Sequence, residues 1–215
     1  MVQNSEMVRR SRGRPQVRSD EETLRVLIDA AAKEFPANGY AGTSIGAVAL
    51  AAGVSTKTLY RLIATKAELF GLVVTDRIGR FMLTFDDSAS DGVDPAAGLE
   101  RILIAYGTLT LADETIAINR LVIGECDRFP EIAAMFYEKA ILPTGDAIAA
   151  WLTRQCARGL IRLADPQRAA GMLRGMMIME PQRAATLGRR AAPDEREIAE
   201  RAKACAELFL SGCRR

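Results

Sequence analysis

The sequence contains no histidine in 215 residues. Ser-His and Cys-His nucleophile pairs are therefore excluded, and the usual zinc and iron sites lose their imidazole ligands. Four cysteines, Cys126, Cys156, Cys205 and Cys213, are widely scattered and form no CxxC. Such spacing suits reduced thiols in a helical core better than a disulfide framework, with a redox-sensing thiol as the other reading. No window reaches the roughly 18 uninterrupted apolar residues of a membrane span, and the arginine-bearing amino terminus is not followed by the apolar stretch of a secretion signal. The expected location is the cytoplasm. No Walker loop is present, and no GxGxxG follows a strand pattern. Asp86 and Asp87 are adjacent acids in a polar stretch, which reads as a solvated loop before it reads as acid–base machinery. These absences point away from an enzyme and leave no metal or cofactor to assign.

Apolar residues make up 49% of the chain, enough for a sizeable core. Prolines are few, β-branched runs are short, and Ala, Leu, Arg, Glu and Met dominate. The expected fold class is all-α. Arg9, Arg10, Arg12, Arg14 and Arg18 crowd the first segment. Residues 1–18 thus read as a basic arm, in which Arg12 and Arg14 flank Gly13 ahead of Pro15, a composition suited to a narrow minor groove. A plain solubilising tail is the alternative.

Order is expected from Ser19, where "SDEE" forms a capping box and Leu24, Leu27, Ile28, Ala31 and Phe35 recur at helical spacing. Gly39 stops that helix. Thr43 is the expected N-cap of a short second helix, Gly53 its end, and Ser55 the N-cap of a third running from Thr56 to about Ile63. This third helix turns Thr56, Lys57, Tyr60 and Arg61 outward, and Thr56, Thr58 and Tyr60 supply hydroxyls suited to phosphates or base edges. "TKAE" opens a fourth helix with Lys66 in its first turn, a poor place for a cation unless a phosphate sits there too.

The stretch "NGYAGTSIGAVALAAGVSTKTLYRLIATKAELF" resembles, at matching spacing over residues 21–70, the amino-terminal pattern of the TetR family of bacterial transcriptional regulators. The resemblance implies a three-helix, helix-turn-helix DNA-binding domain over 19–66. It implies a helical ligand-binding and dimerisation domain over 67–215. Carried over by position, Thr43, Ser55, Tyr60 and Lys66 would touch phosphates, and Thr56, Lys57, Thr58 and Arg61 would face the major groove. Two departures are Ile63, where an aromatic residue is common, and Thr56-Lys57 in place of a frequent K-G. The second leaves the operator sequence open.

Further helices are expected near 95–112, 114–127, 130–158, 166–180 and 194–211. "NRLVIGECDRFPEIAAMFYE" and "LTRQCARGLI" look like the carboxy-terminal domain of an AefR-like branch of these regulators. Tyr106, Asn119, Arg120 and Glu125 are the polar groups expected around an apolar pocket, although a surface pair such as Glu125 with Arg128 is the plainer reading. Two stripes, Met172, Leu173, Met176 and Met177, then Ile198, Ala202, Cys205 and Phe209, mark core or dimer interface. The resemblance implies a homodimeric repressor released from double-stranded operator DNA by a small-molecule effector. A constitutive regulator with a vestigial pocket, and an enzyme or carrier working through its large domain, are the rivals.

Overall fold

A computed structural model describes residues 18–88 and 94–213. Among them the chain forms α1 (Asp20–Gly42), α2 (Ile45–Ala51), α3 (Thr56–Leu62), α4 (Lys66–Ser88), α5 (Pro95–Thr110), α6 (Asp113–Glu125), α7 (Pro130–Phe136), a π-helical turn (Tyr137–Ile141), α8 (Leu142–Ala157), α9 (Pro166–Thr186) and α10 (Glu195–Ser211). Arg12 and Arg14 lie outside the described residues.

Local chemistry sets most of these boundaries. The Glu22 amide donates to Ser19 Oγ at 3.1 Å and the Ser19 amide to Glu22 Oε2 at 2.8 Å, the reciprocal pair that starts α1. Gly39, at φ 72°, breaks α1 before a last turn that continues to Gly42. After α2, Gly53 takes φ 65° and donates to Leu50 O, while Val54 donates to Ala49 O. That pair of bonds is a Schellman closure, and it sets up the tight corner into α3.

Four boundaries differ from expectation. Helix α4 runs on through Asp86 and Asp87 to Ser88, where a loop is expected. The N-cap of α2 is Ser44, whose Oγ accepts from the Ala47 amide at 3.0 Å. Thr43 is instead buried, and its hydroxyl donates to the carbonyls of Gly39 and Glu34. The helix expected over 130–158 is interrupted by the π turn, because Pro143 lacks an amide hydrogen and its ring crowds the carbonyl four residues back. Helix α9 runs through Pro181 to Thr186, since Arg120 donates to the carbonyls of Ala185 and Thr186 and satisfies its last turn.

Two apolar clusters hold the molecule together. One gathers α5, α8, α9 and α10 around Leu103, Ile148, Trp151, Leu173 and Ala202. The other joins α1–α3 to α4, α6 and α7 through Phe35, Tyr40, Phe70, Val73, Leu121 and Ile132. The three amino-terminal helices therefore share a core with the larger part of the chain. Helix α4 enters both clusters, with Leu69 to Ile78 in one and Phe81 in the other. Where α5 meets α9 and α10, a Cβ on Gly107 would lie 2.5 Å from Met177 Cε and 2.9 Å from Ile198 Cγ2. Any larger residue there would force Met177 and Ile198 to move.

This crossing corrects the expected interface stripes. Met177, Ile198, Ala202 and Cys205 are buried in the protomer's own core, and Phe209 is half-buried against it. Met172 and Met176 remain exposed, beside Met179 and Leu208.

Candidate nucleic-acid interface and ligand cavity

Helices α2 and α3 present the only helix-turn-helix corner among the described residues. Leu59 and Ile63 are buried beneath α3, which leaves Thr56, Lys57, Tyr60 and Arg61 exposed on its outer side. Ser55 Oγ accepts from the Thr58 amide at 3.0 Å and lies 2.8 Å from Thr58 Oγ1. The Thr58 hydroxyl is thus engaged at the cap, while those of Thr56 and Tyr60 stand on the open side.

Arg61 makes a two-pronged pair with Asp20 of α1, at 2.6 and 2.7 Å. Both side chains are about half exposed, so water screens the pair and the guanidinium can exchange partners at little cost. Lys66 Nζ donates to the carbonyls of Tyr40 at 2.7 Å and Thr43 at 3.1 Å, and lies 4.5 Å from the centre of the Tyr40 ring. It cross-links the end of α1 to the start of α4. An ammonium has three donors, so one remains for another acceptor. Tyr40 itself packs against Phe35, Phe70 and Phe129. Burial first, then the Glu131 carboxylate, push its hydroxyl up to about 12. Thr43, turned into the core, presents no hydroxyl to a phosphate.

A cavity of about 120 Å³ lies between α4, α5, α6, α9 and the π turn, with Val74, Ile78, Leu109, Ile118, Phe136 and Ile178 in its wall. Its polar lining includes Tyr106, Asn119, Arg77, Thr115, Arg174 and Gln182, with Thr110 and Thr144 beside them. Arg174 Nε donates to the Tyr106 hydroxyl at 3.1 Å, and burial pushes that phenol up against the opposing effect of Arg174. The guanidinium has room because position 145 is glycine: a Cβ there would stand 2.7 Å from Arg174 Nη1.

Of the four expected pocket residues, Tyr106 and Asn119 line this cavity and the other two do not. Arg120 caps α9. Glu125 accepts from the amides of Tyr40 at 2.8 Å and Ala41 at 3.0 Å, which fastens the end of α6 to the Gly39 corner. A Cβ at Gly39 would lie 2.8 Å from Glu125 Oε1, so the clamp depends on that glycine. Arg77, Thr115, Arg174 and Gln182 escaped the sequence reading. For Arg77 a signal existed, since it falls three or four residues from Val73, Val74 and Phe81 on the apolar stripe of α4. Burial pushes the Cys205 and Cys213 thiols up, away from the reactive thiolate.

Comparisons with known proteins agree with this geometry. Residues 27–73 match the family described as bacterial regulatory proteins, tetR family, and residues 97–212 match the AefR-like transcriptional repressor, C-terminal domain. A crystal structure of a protein from Mesorhizobium loti MAFF303099, described as of the TetR family, superposes with a TM-score of 0.80 at 27% identity, covering 92% of this chain and 100% of that one. The flavonoid-responsive regulator FrrA superposes with a TM-score of 0.70 at 25% identity, covering 90% and 98% of the two chains. FadR from Bacillus subtilis, in complex with stearoyl-CoA, shares the fold with a TM-score of 0.68 at 17% identity, covering 87% and 98%. Curated proteins yield no match.

Proposed function

The chain belongs to the tetR family of bacterial regulatory proteins, with an AefR-like carboxy-terminal domain, and from that membership we propose that it is a ligand-responsive repressor that leaves its operator when a small molecule fills the cavity. The observation that carries this reading is the course of α4. One end of that helix, at Lys66, is bonded to the end of α1 where the chain turns into α2, and its middle, at Val74, Arg77 and Ile78, walls the cavity. A ligand that favours a different placement of α4 therefore biases the separation of two recognition helices, and DNA affinity falls by its differential binding energy. FrrA, a flavonoid-responsive regulator by its name, lends this support from a relative.

In this reading Thr56, Lys57 and Arg61 face the major groove, and Ser55, Tyr60 and the third donor of Lys66 contact phosphates. Arg12 and Arg14 reach the adjoining minor groove. Two protomers pair so that their α3 helices stand about 34–36 Å apart, one turn of B-DNA. The protein works by binding and not by catalysis.

The test is a gel shift on operator fragments selected from a random DNA library, repeated with small molecules that raise the melting temperature. Specific binding that weakens as such a ligand is added supports the proposal. Turnover of a ligand without specific DNA binding would reject it in favour of an enzyme or carrier.

A further inference from the structure

The polar lining of the cavity says more about the effector than its volume does. No carboxylate stands among the residues described as lining the inner cavity, whereas two guanidinium groups reach it, Arg77 from α4 and Arg174 from α9. Arg174 is already committed to Tyr106, through a 3.1 Å hydrogen bond and a position 5.6 Å from the ring centre. Accepting that bond leaves the phenol's own hydrogen free to be donated. Arg77 differs. Its Nε is buried without a hydrogen-bond partner, and so is Thr115 Oγ1 in the same wall. Buried donors are almost always paired, so two orphans on residues that wall the same cavity mark a place where an acceptor belongs once these side chains turn toward it.

The far side of the Arg77 guanidinium reaches Glu114 at 3.8 Å, and that carboxylate is 64% exposed. A larger cleft of about 530 Å³ adjoins, lined by Phe81, Arg101 and Ile104, and shares Arg77, Leu109 and Thr115 with the inner cavity. Arg77, Leu109 and Thr115 thus form a partition with an outer cleft on one side and the apolar cavity on the other. The cation in that partition is held weakly by an exposed acid.

We propose that the effector is an amphipathic organic anion, a carboxylate on an apolar body, whose charged end takes the Arg77 Nε hydrogen and the Thr115 hydroxyl hydrogen. It enters by the outer cleft, drawn by Arg101 and Arg77, and lays its apolar part along Val74, Ile78, Ile118 and Ile178. Glu114 is then the competitor it displaces from Arg77. Because Arg77 belongs to α4, the displacement acts on the helix whose first turn is bonded to the end of α1, just ahead of the helix-turn-helix. This inference rests on the regulator reading for its biological meaning, but its chemistry is tested without DNA.

Isothermal titration of the full chain with the monocarboxylates from hexanoate to dodecanoate, each beside the alcohol of equal length, provides the test. Carboxylates should bind well above their alcohols. Arg77→Met should weaken the carboxylates about 10- to 100-fold, the range for a lost charged hydrogen bond, and leave the alcohols unchanged. Glu114→Gln should move the carboxylates the other way, to several-fold tighter binding, an outcome that a merely destabilised fold cannot produce. Alcohols binding as well as carboxylates, equal losses of both in Arg77→Met, or no carboxylate binding at all would overturn the assignment. Carboxylate binding that shows this Arg77 dependence yet leaves the operator complex intact would instead sink the repressor reading and let the assignment stand.

Discussion

Lys66 serves two demands with one ammonium group. Two of its hydrogens hold the carbonyls of Tyr40 and Thr43, so it stabilises the corner, and the third is available to DNA. Lys66→Ala should therefore lower the melting temperature and also weaken binding to every DNA sequence, with the salt slope reduced by about one unit. A drop in stability with the slope unchanged would leave Lys66 as a cap alone. Arg61 carries the opposite tension, since its fork is occupied by Asp20 in the DNA-free chain. Removing that competitor by Asp20→Asn should tighten DNA binding, and Arg61→Ala should weaken it; anisotropy titrations at fixed salt check both. No gain from Asp20→Asn would mean that Arg61 keeps its partner on DNA. Residue identity was legible in the sequence at these positions and residue role was only half legible. The outward placement of Lys57, Tyr60 and Arg61 follows from helical spacing, but Asp20 lies 41 positions from Arg61 and no local pattern joins them. Thr43 failed for a more local reason: its hydroxyl is turned inward to the carbonyls of Gly39, four residues back, and Glu34.

At the scale of elements, helix ends were the most legible feature, because caps act within four residues of themselves. Ser19 and Ser55, read as caps from the sequence, each cap a helix through a backbone amide, and Asp165 and Asp194, which the sequence reading does not single out, do the same. Ser55→Ala should cost about 1 kcal/mol, seen as a lower unfolding midpoint in urea with an unchanged slope. The π turn and the extra length of α9 were illegible, since the partners that permit them come from other helices. Helix α6 shows what this hides. Along one element, Asn119 faces the cavity, Arg120 closes α9, and Glu125 holds the amides of Tyr40 and Ala41. It is a second physical connection between the cavity and the end of α1 that leads into the helix-turn-helix, beside α4. Glu125→Ala should leave effector affinity in the isolated protein nearly unchanged while shrinking the ratio of operator affinities without and with effector. Gly39→Ala should do likewise and destabilise the fold in addition, because it needs a positive φ and strikes the same carboxylate. An unchanged ratio in Glu125→Ala would assign the coupling to α4 alone.

The whole molecule raises a question that neither residues nor single helices answer, namely what covers the exposed methionines of α9. Met172, Met176 and Met179 are 62%, 37% and 54% exposed and recur at intervals of four and three, so they share one side of that helix. Nothing lies within 4 Å of a Cβ built on Gly171 or Gly175, which keeps the surface around them low. Leu208 on α10, a helix packed against α9, is 69% exposed as well. Scattered apolar residues need no explanation, but three methionines exposed along one side of a single helix mark a contact surface. In the proposed repressor that contact is the second protomer, and a dimer is what two half-sites one helical turn apart require. The sequence offered both stripes for this role without ranking them, since periodicity reveals an apolar face and not which neighbour hides it. Folding assigns Met177, Ile198, Ala202 and Cys205 to the inside. Two substitutions separate the faces. Met176→Glu should yield a folded monomer by sedimentation equilibrium, with operator affinity falling by more than tenfold, because the two half-sites no longer bind as one. Met177→Glu should instead lower the melting temperature sharply, since it buries an unpaired carboxylate beside Gly107. A Met176→Glu protein that stays dimeric and keeps its operator affinity would move the twofold axis to another face of the molecule.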